Sequence, residues 1–100
     1  MLTKKFVKSK NICKVTFELP QEIEAKSAVL VGEFNNWDTA AHPMKKVKGV
    51  WKTTLDLEQG QEFQYRYLVN GSEWYNDWEA DGYAPNLING DNSVVQTYSN

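Results

Sequence analysis

Glu62-Phe63-Gln64-Tyr65-Arg66-Tyr67-Leu68-Val69, followed at once by Asn70-Gly71, is the stretch from which the rest of the chain is read. Successive side chains of an extended strand point to opposite faces. Phe63, Tyr65, Tyr67 and Val69 therefore share one face, and Gln64, Arg66 and Leu68 the other. The first set is apolar and aromatic, which assigns it to a core. The second is mixed, which turns it outward. Asn-Gly tolerates the positive φ that a tight hairpin turn requires. Glu73-Trp74-Tyr75 is then a short return strand.

The same period of two recurs on both sides. Over residues 12–19, Cys13, Val15, Phe17 and Leu19 share a face before Pro20 ends the run. Ala28-Val29-Leu30-Val31-Gly32 is continuously apolar, as a central strand is. Over residues 50–57, Trp51, Thr53, Leu55 and Leu57 fall together, and Gln59-Gly60 turns the chain. Residues 93–98 close it as a last strand. No segment longer than a turn or two has a 3.6 period; residues 21–26 read as one helical turn or a polar loop. Six or seven short strands between turn residues predict an all-β antiparallel sandwich. Its core is expected to hold Val15, Phe17, Leu30, Trp51, Leu55, Phe63, Tyr65 and Tyr67, with Phe34 also buried. Residues 76–92 lack periodicity and are rich in Asp, Asn, Gly and Pro, so they read as a long functional loop.

A chain of 100 residues is one domain. Its formal charge of -2 argues against a nucleic-acid partner, which demands a basic face. Lys4, Lys5, Lys8 and Lys10 read as a solvated, partly frayed terminus, so residues 1–11 are expected to be a basic tail and 12–98 the module. Cys13 is the sole cysteine, a small buried hydrophobe with no disulfide partner in the chain. No apolar run is long enough for a membrane span and no signal-like core opens the sequence, so a cytoplasmic location is expected. Asn70-Gly71-Ser72 has the pattern of a glycosylation acceptor, to which the lack of a secretion signal gives little weight.

Four stretches, in order, carry a resemblance. Val31-Gly32-Glu33-Phe34-Asn35-Asn36-Trp37-Asp38 resembles the G-x-F-N-x-W signature of family 48 carbohydrate-binding modules. Gly49-Val50-Trp51 resembles that family's G-x-W strand start. Residues 65–71 resemble its Y-K/R-F/Y-x-V/I-D/N-G strand and turn. Asp77 and Asp81, then Asn92-Ser93-Val94-Val95, resemble its C-terminal end. The family includes the N-terminal modules of branching and debranching enzymes and the glycogen-binding domain of the AMP-activated kinase beta subunit. The resemblance implies an early-set, immunoglobulin-like sandwich that binds α-1,4-linked glucose chains without catalysis or cofactor. It also implies a glycogen-metabolism enzyme as a protein partner.

A glucan offers weakly apolar ring faces and hydroxyl-bearing edges, so a binder needs flat aromatics and a few polar anchors. Trp37 lies in a turn after an apolar strand, and the resemblance makes it a stacking platform rather than a core lid. Trp74 resembles the family's second stacking Trp, although the preceding turn is one residue longer than in the kinase domain. Arg66 sits where that domain has a sugar-binding Lys, on the face opposite the tyrosines. A guanidinium there can donate to two neighbouring hydroxyls. Asn92 matches a position whose side chain bonds hydroxyls, and Ile88 one where a Leu packs on a sugar ring. Trp51 is expected in the core; Trp78 has no counterpart and reads as a third platform or a loop anchor.

Three rival classes have weaker support. Glycosidase chemistry needs two carboxylates flanking a sugar; the acids of residues 73–81 read instead as solvated or turn-forming, and His42, the sole histidine, as surface loop. Asp77-x-Glu79-x-Asp81-Gly82 has the outline of a calcium loop, but position three is Glu and position twelve is Ile88 where a bidentate Glu is needed. No metal is expected. The serious alternative is a regulatory or scaffold domain that kept the fold and lost the sugar.

Overall fold

The computed structural model describes residues 1–86 and 90–98. The described residues form ten strands: β1 (Leu2–Val7), β2 (Ile12–Glu18), β3 (Ala28–Gly32), β4 (His42–Pro43), β5 (Lys45–Val47), β6 (Val50–Glu58), β7 (Glu62–Val69), β8 (Glu73–Tyr75), β9 (Gly82–Asn86) and β10 (Gly90–Gln96). They form two antiparallel sheets. One has the order β1-β2-β6-β5; the other runs β4-β3-β7-β10-β9, with β8 also paired to β7. The fold is the all-β, immunoglobulin-like sandwich. The described residues contain no helix beyond two 3-10 turns, Lys8–Lys10 and Glu33–Asn35, and no helix long and apolar enough to cross a membrane.

The period of two builds the core. Cys13, Val15 and Phe17 of β2 face Tyr65, Tyr67 and Val69 of β7, which Leu30 of β3 and Val95 of β10 flank in the same sheet, all fully buried. Trp51, Leu55, Phe63 and Phe34 are partly buried and pack against this cluster. Phe17 meets Tyr65 edge-on with ring centroids 5.0 Å apart, and Tyr65 meets Tyr67 at 5.8 Å. Such tilted pairs add to simple burial.

Buried tyrosines need partners for their hydroxyls. Tyr65 and Tyr67 both donate to Asp77 Oδ2, at 2.8 and 3.0 Å. Burial pushes both phenols far above their ordinary ionisation range, and the neighbouring carboxylate adds to the shift. Asp77, read from sequence as one of a solvated acid cluster, is fully buried. The Met1 ammonium donates to its Oδ1 at 2.6 Å, and the Glu79 N–H donates to the same oxygen at 3.0 Å.

Two segments differ from the sequence reading. Residues 1–11, read as a frayed basic tail, contain β1, which pairs with β2 from Leu2↔Phe17 to Val7↔Ile12. The lysines obscure its alternation. Leu2 and Phe6 face inward and pack on the core, while Lys4, on the same face, reaches Asp81 at 2.5 Å. The stretch read as a long loop contains β9 and the start of β10, joined from Gly82↔Val94 to Gly90↔Asn86. Gly82 and Pro85 hide that strand, and an edge position tolerates the proline. Residues 21–26 form no helix.

Candidate functional site

The first part of the site is the turn after β3, and its motif residues have separate tasks. A Cβ on Gly32 would lie 2.7 Å from the Gln64 carbonyl oxygen and 2.9 Å from Tyr65 Cβ, so β3 and β7 approach this closely only with glycine here. Phe34 packs on Phe17 at 5.6 Å. Asn35 closes the turn: its Oδ1 accepts the Gly32 N–H at 3.1 Å, and its Nδ2 donates to Leu30 O at 3.1 Å. The same amide lies 2.8 Å from His42 Nδ1, so His42 is a half-buried turn partner rather than plain surface. Asn36 and Trp37 both have positive φ, 56° and 58°. For a residue as bulky as Trp this is an unfavourable conformation. It is held by the Trp37 N–H donating to Gly32 O at 2.8 Å. The backbone is thus bent at a cost, and Trp37 stands outside the core with 39% of its surface exposed.

Strand pairing places the second part on the outer face of the larger sheet. Val31 of β3 lies opposite Arg66 of β7, and Val29 opposite Leu68. Leu68 in turn lies opposite Trp74 of β8. On the same edge of β7, Ser93 of β10 pairs with Tyr65 and points inward, so Asn92 points outward beside Arg66. Trp74 is 44% exposed. Along β7, the point beside Trp74 (Leu68) and the point opposite Gly32 (Tyr65) are three residues apart, about 10 Å at strand rise.

Arg66 and Asn92 share this outer face but are only 8% and 7% exposed. The Arg66 guanidinium donates through Nε to Asp91 O at 3.2 Å, and Asn76 Nδ2 donates to the same carbonyl at 2.7 Å. Asn92 Nδ2 donates to Gln64 Oε1 at 2.9 Å, while Asn86 Nδ2 donates to Asn92 Oδ1 at 3.1 Å. Asn86, Asn92 and Gln64 thus make an amide ladder across β9, β10 and β7. Alternation predicted the direction of Arg66 but not its burial. The backbone of β10, which supplies the Asp91 carbonyl, comes from a segment read as loop. Ile88 lies outside the described residues.

Trp51 and the other three tryptophans separate cleanly. Trp51 packs on the core. Trp37, Trp74 and Trp78 are all exposed, Trp78 the most at 54%. Asp77 and Asp81, spaced like calcium ligands, turn to different tasks: Asp77 faces the tyrosines, and Asp81 Oδ2 accepts Lys4 Nζ and the Gln96 N–H.

This turn lies within the stretch that a family model matches. Residues 15–84 match carbohydrate-binding module 48, the isoamylase N-terminal domain. The chain belongs to carbohydrate-binding module family 48. Relatives include a 1,4-alpha-glucan-branching enzyme of Aspergillus oryzae, 57% identical over 37 residues, which is 36% of this chain and 5% of the enzyme. A 1,4-alpha-glucan branching enzyme of Prochlorococcus marinus is 26% identical over 78 residues, 76% of this chain and 10% of the enzyme. The rice chloroplastic or amyloplastic enzyme is 34% identical over 58 residues, 50% of this chain and 7% of that protein. This family 48 module therefore spans a tenth or less of the length of these relatives.

Proposed function

We propose that this family 48 module binds α-1,4-linked glucan without catalysing its turnover, on the outer face of the larger sheet. The observation that carries the reading is the pair Trp37 and Trp74, exposed outside the core on elements tied to that one sheet. Their rings stack on sugar faces. Arg66, Asn92 and the amide ladder form a polar floor whose small exposed edge meets hydroxyls, and Ile88 is a further contact on the strength of the family resemblance. The names of the branching-enzyme relatives support an α-glucan as the ligand and a glycogen-metabolism enzyme as the partner. A cytoplasmic setting accords with both.

A shallow, wet platform binds weakly, with Kd roughly 10 µM to 1 mM, about -7 to -4 kcal/mol. The scaffold alternative draws on one observation: Arg66 and Asn92 already bond within the protein. Calorimetric titration with maltoheptaose separates the two. Heat that saturates in the stated range supports the glucan reading; no heat at millimolar sugar supports the scaffold. Release of reducing ends that tracks the purified protein would overturn the non-catalytic part.

A further inference from the structure

A separate opening lies away from the face just described, at the end of the sandwich where β2 leaves and β6 enters. It is a cavity of 360 Å³ walled by Leu19, Pro20, Val50 and Trp78, with Glu22 and Glu79 among its lining residues. That volume lies within the ~300–1,000 Å³ typical of small-ligand sites. Trp78 is the most exposed tryptophan and does not pack on the core.

Trp78 is nevertheless firmly placed, because the residue before it is among the most fully bonded in the protein. The Asp77 N–H donates to Ser93 Oγ at 2.8 Å, and its carbonyl accepts Tyr83 OH at 2.6 Å. Its carboxylate takes both core tyrosines and the Glu79 N–H. An exposed aromatic next to a buried, immobile anchor loses little freedom when a ligand stacks on it. Glu22 and Glu79 are exposed and make no ion pair among the described residues. A carboxylate is a strong acceptor for a hydroxyl.

We propose that this cavity is a second glucan subsite, in which Trp78 stacks on a glucose ring while Glu22 and Glu79 accept its hydroxyls. The inference rests on the glucan reading above and adds a separate foothold to it. A neutral sugar suits the cavity better than a cation. The rim carboxylates are exposed, so their attraction for a charge is screened, whereas stacking needs none. Two footholds on one module raise retention on a branched polymer through effective concentration.

The test follows the four Trp indole N–H resonances while maltoheptaose is added. The Trp78 resonance should move and saturate, and should still do so in the Trp37→Ala/Trp74→Ala double variant. Trp78→Ala should weaken retention on glycogen by about tenfold, and Trp78→Phe should restore part of it. A Trp78 resonance that stays still while those of Trp37 and Trp74 move would overturn this subsite and leave the proposed function standing. If no indole moves, both fall. Movement with cadaverine but not with the sugar would identify a cation site and overturn the proposal. The titration of the unsubstituted protein decides the matter even if a variant does not fold.

Discussion

Four tryptophans occupy two kinds of place, and truncating them should have two kinds of consequence. Trp37 and Trp74 are exposed and outside the core. Trp37→Ala and Trp74→Ala should each sharply reduce glycogen retention in a pull-down while leaving the unfolding curve within about 0.5 kcal/mol of the parent. The loss reflects hot-spot aromatics, which commonly contribute about 2 kcal/mol or more. Trp51→Ala should do the reverse, destabilising the fold by about 3–5 kcal/mol or less, in keeping with its partial burial. Urea unfolding beside the pull-down separates the two outcomes. Equal retention by the parent and both exposed-Trp variants would place the site elsewhere.

At the scale of single elements, the β3 turn and the β7 tyrosines each depend on one close contact. Gly32→Ala forces a Cβ to within 2.7 Å of a backbone oxygen that no rotamer change can move. It should cost roughly 1–3 kcal/mol in urea unfolding and weaken glycogen binding by displacing Trp37. Asp77→Ala strips both buried tyrosine hydroxyls of their shared acceptor and should cost about 2–4 kcal/mol. The same tyrosines predict an alkaline limit. In the unfolded chain each ionises near pH 10.0, whereas the folded state raises both. Protons leave the unfolded state first, so their stabilisation is complete below about pH 10 and falls as the pH rises beyond it. The slope approaches about 1.4 kcal/mol per pH unit for each tyrosine. Urea midpoints between about pH 9 and 11 measure it, and Tyr65→Phe/Tyr67→Phe should flatten that part of the profile. An unchanged slope in the double variant would assign the alkaline loss to other groups.

Across the whole molecule, the sandwich is held by segments distant in sequence. β1 covers one edge of β2, and Leu2 and Phe6 pack on the core. A protein lacking residues 1–11 should therefore lose about 2 kcal/mol or more, from the burial of two large apolar side chains. A lowered midpoint in thermal or urea unfolding checks this; an unchanged midpoint would return the segment to the status of a tail. Glucan binding by such a shortened protein, at a temperature where it stays folded, should persist, because Trp37, Trp74, Arg66 and Asn92 all lie on the other sheet or its turn.

Strong local patterns determined much of this protein by themselves. Period-two runs set β2, β6 and β7 and the burial of Val15, Phe17, Tyr65 and Tyr67, because which face a side chain takes is a local property of an extended chain, and a continuous apolar run set β3 with Leu30. Asn70-Gly71 placed the β7–β8 turn, and the resemblance of residues 31–38 to the family signature pointed to Trp37 in the turn after β3. Strand pairing decided the rest. It turned a lysine-rich segment into β1 and a Gly- and Pro-containing one into β9, since an edge strand needs only one partner and tolerates residues a central strand cannot. It also brought Asp77 under Tyr65 and Tyr67, set Arg66 against the Asp91 carbonyl, and opened the cavity beside Trp78. Hydrogen bonds and cavities between residues far apart in sequence exist only once the sheets have paired and packed, and no local pattern records them.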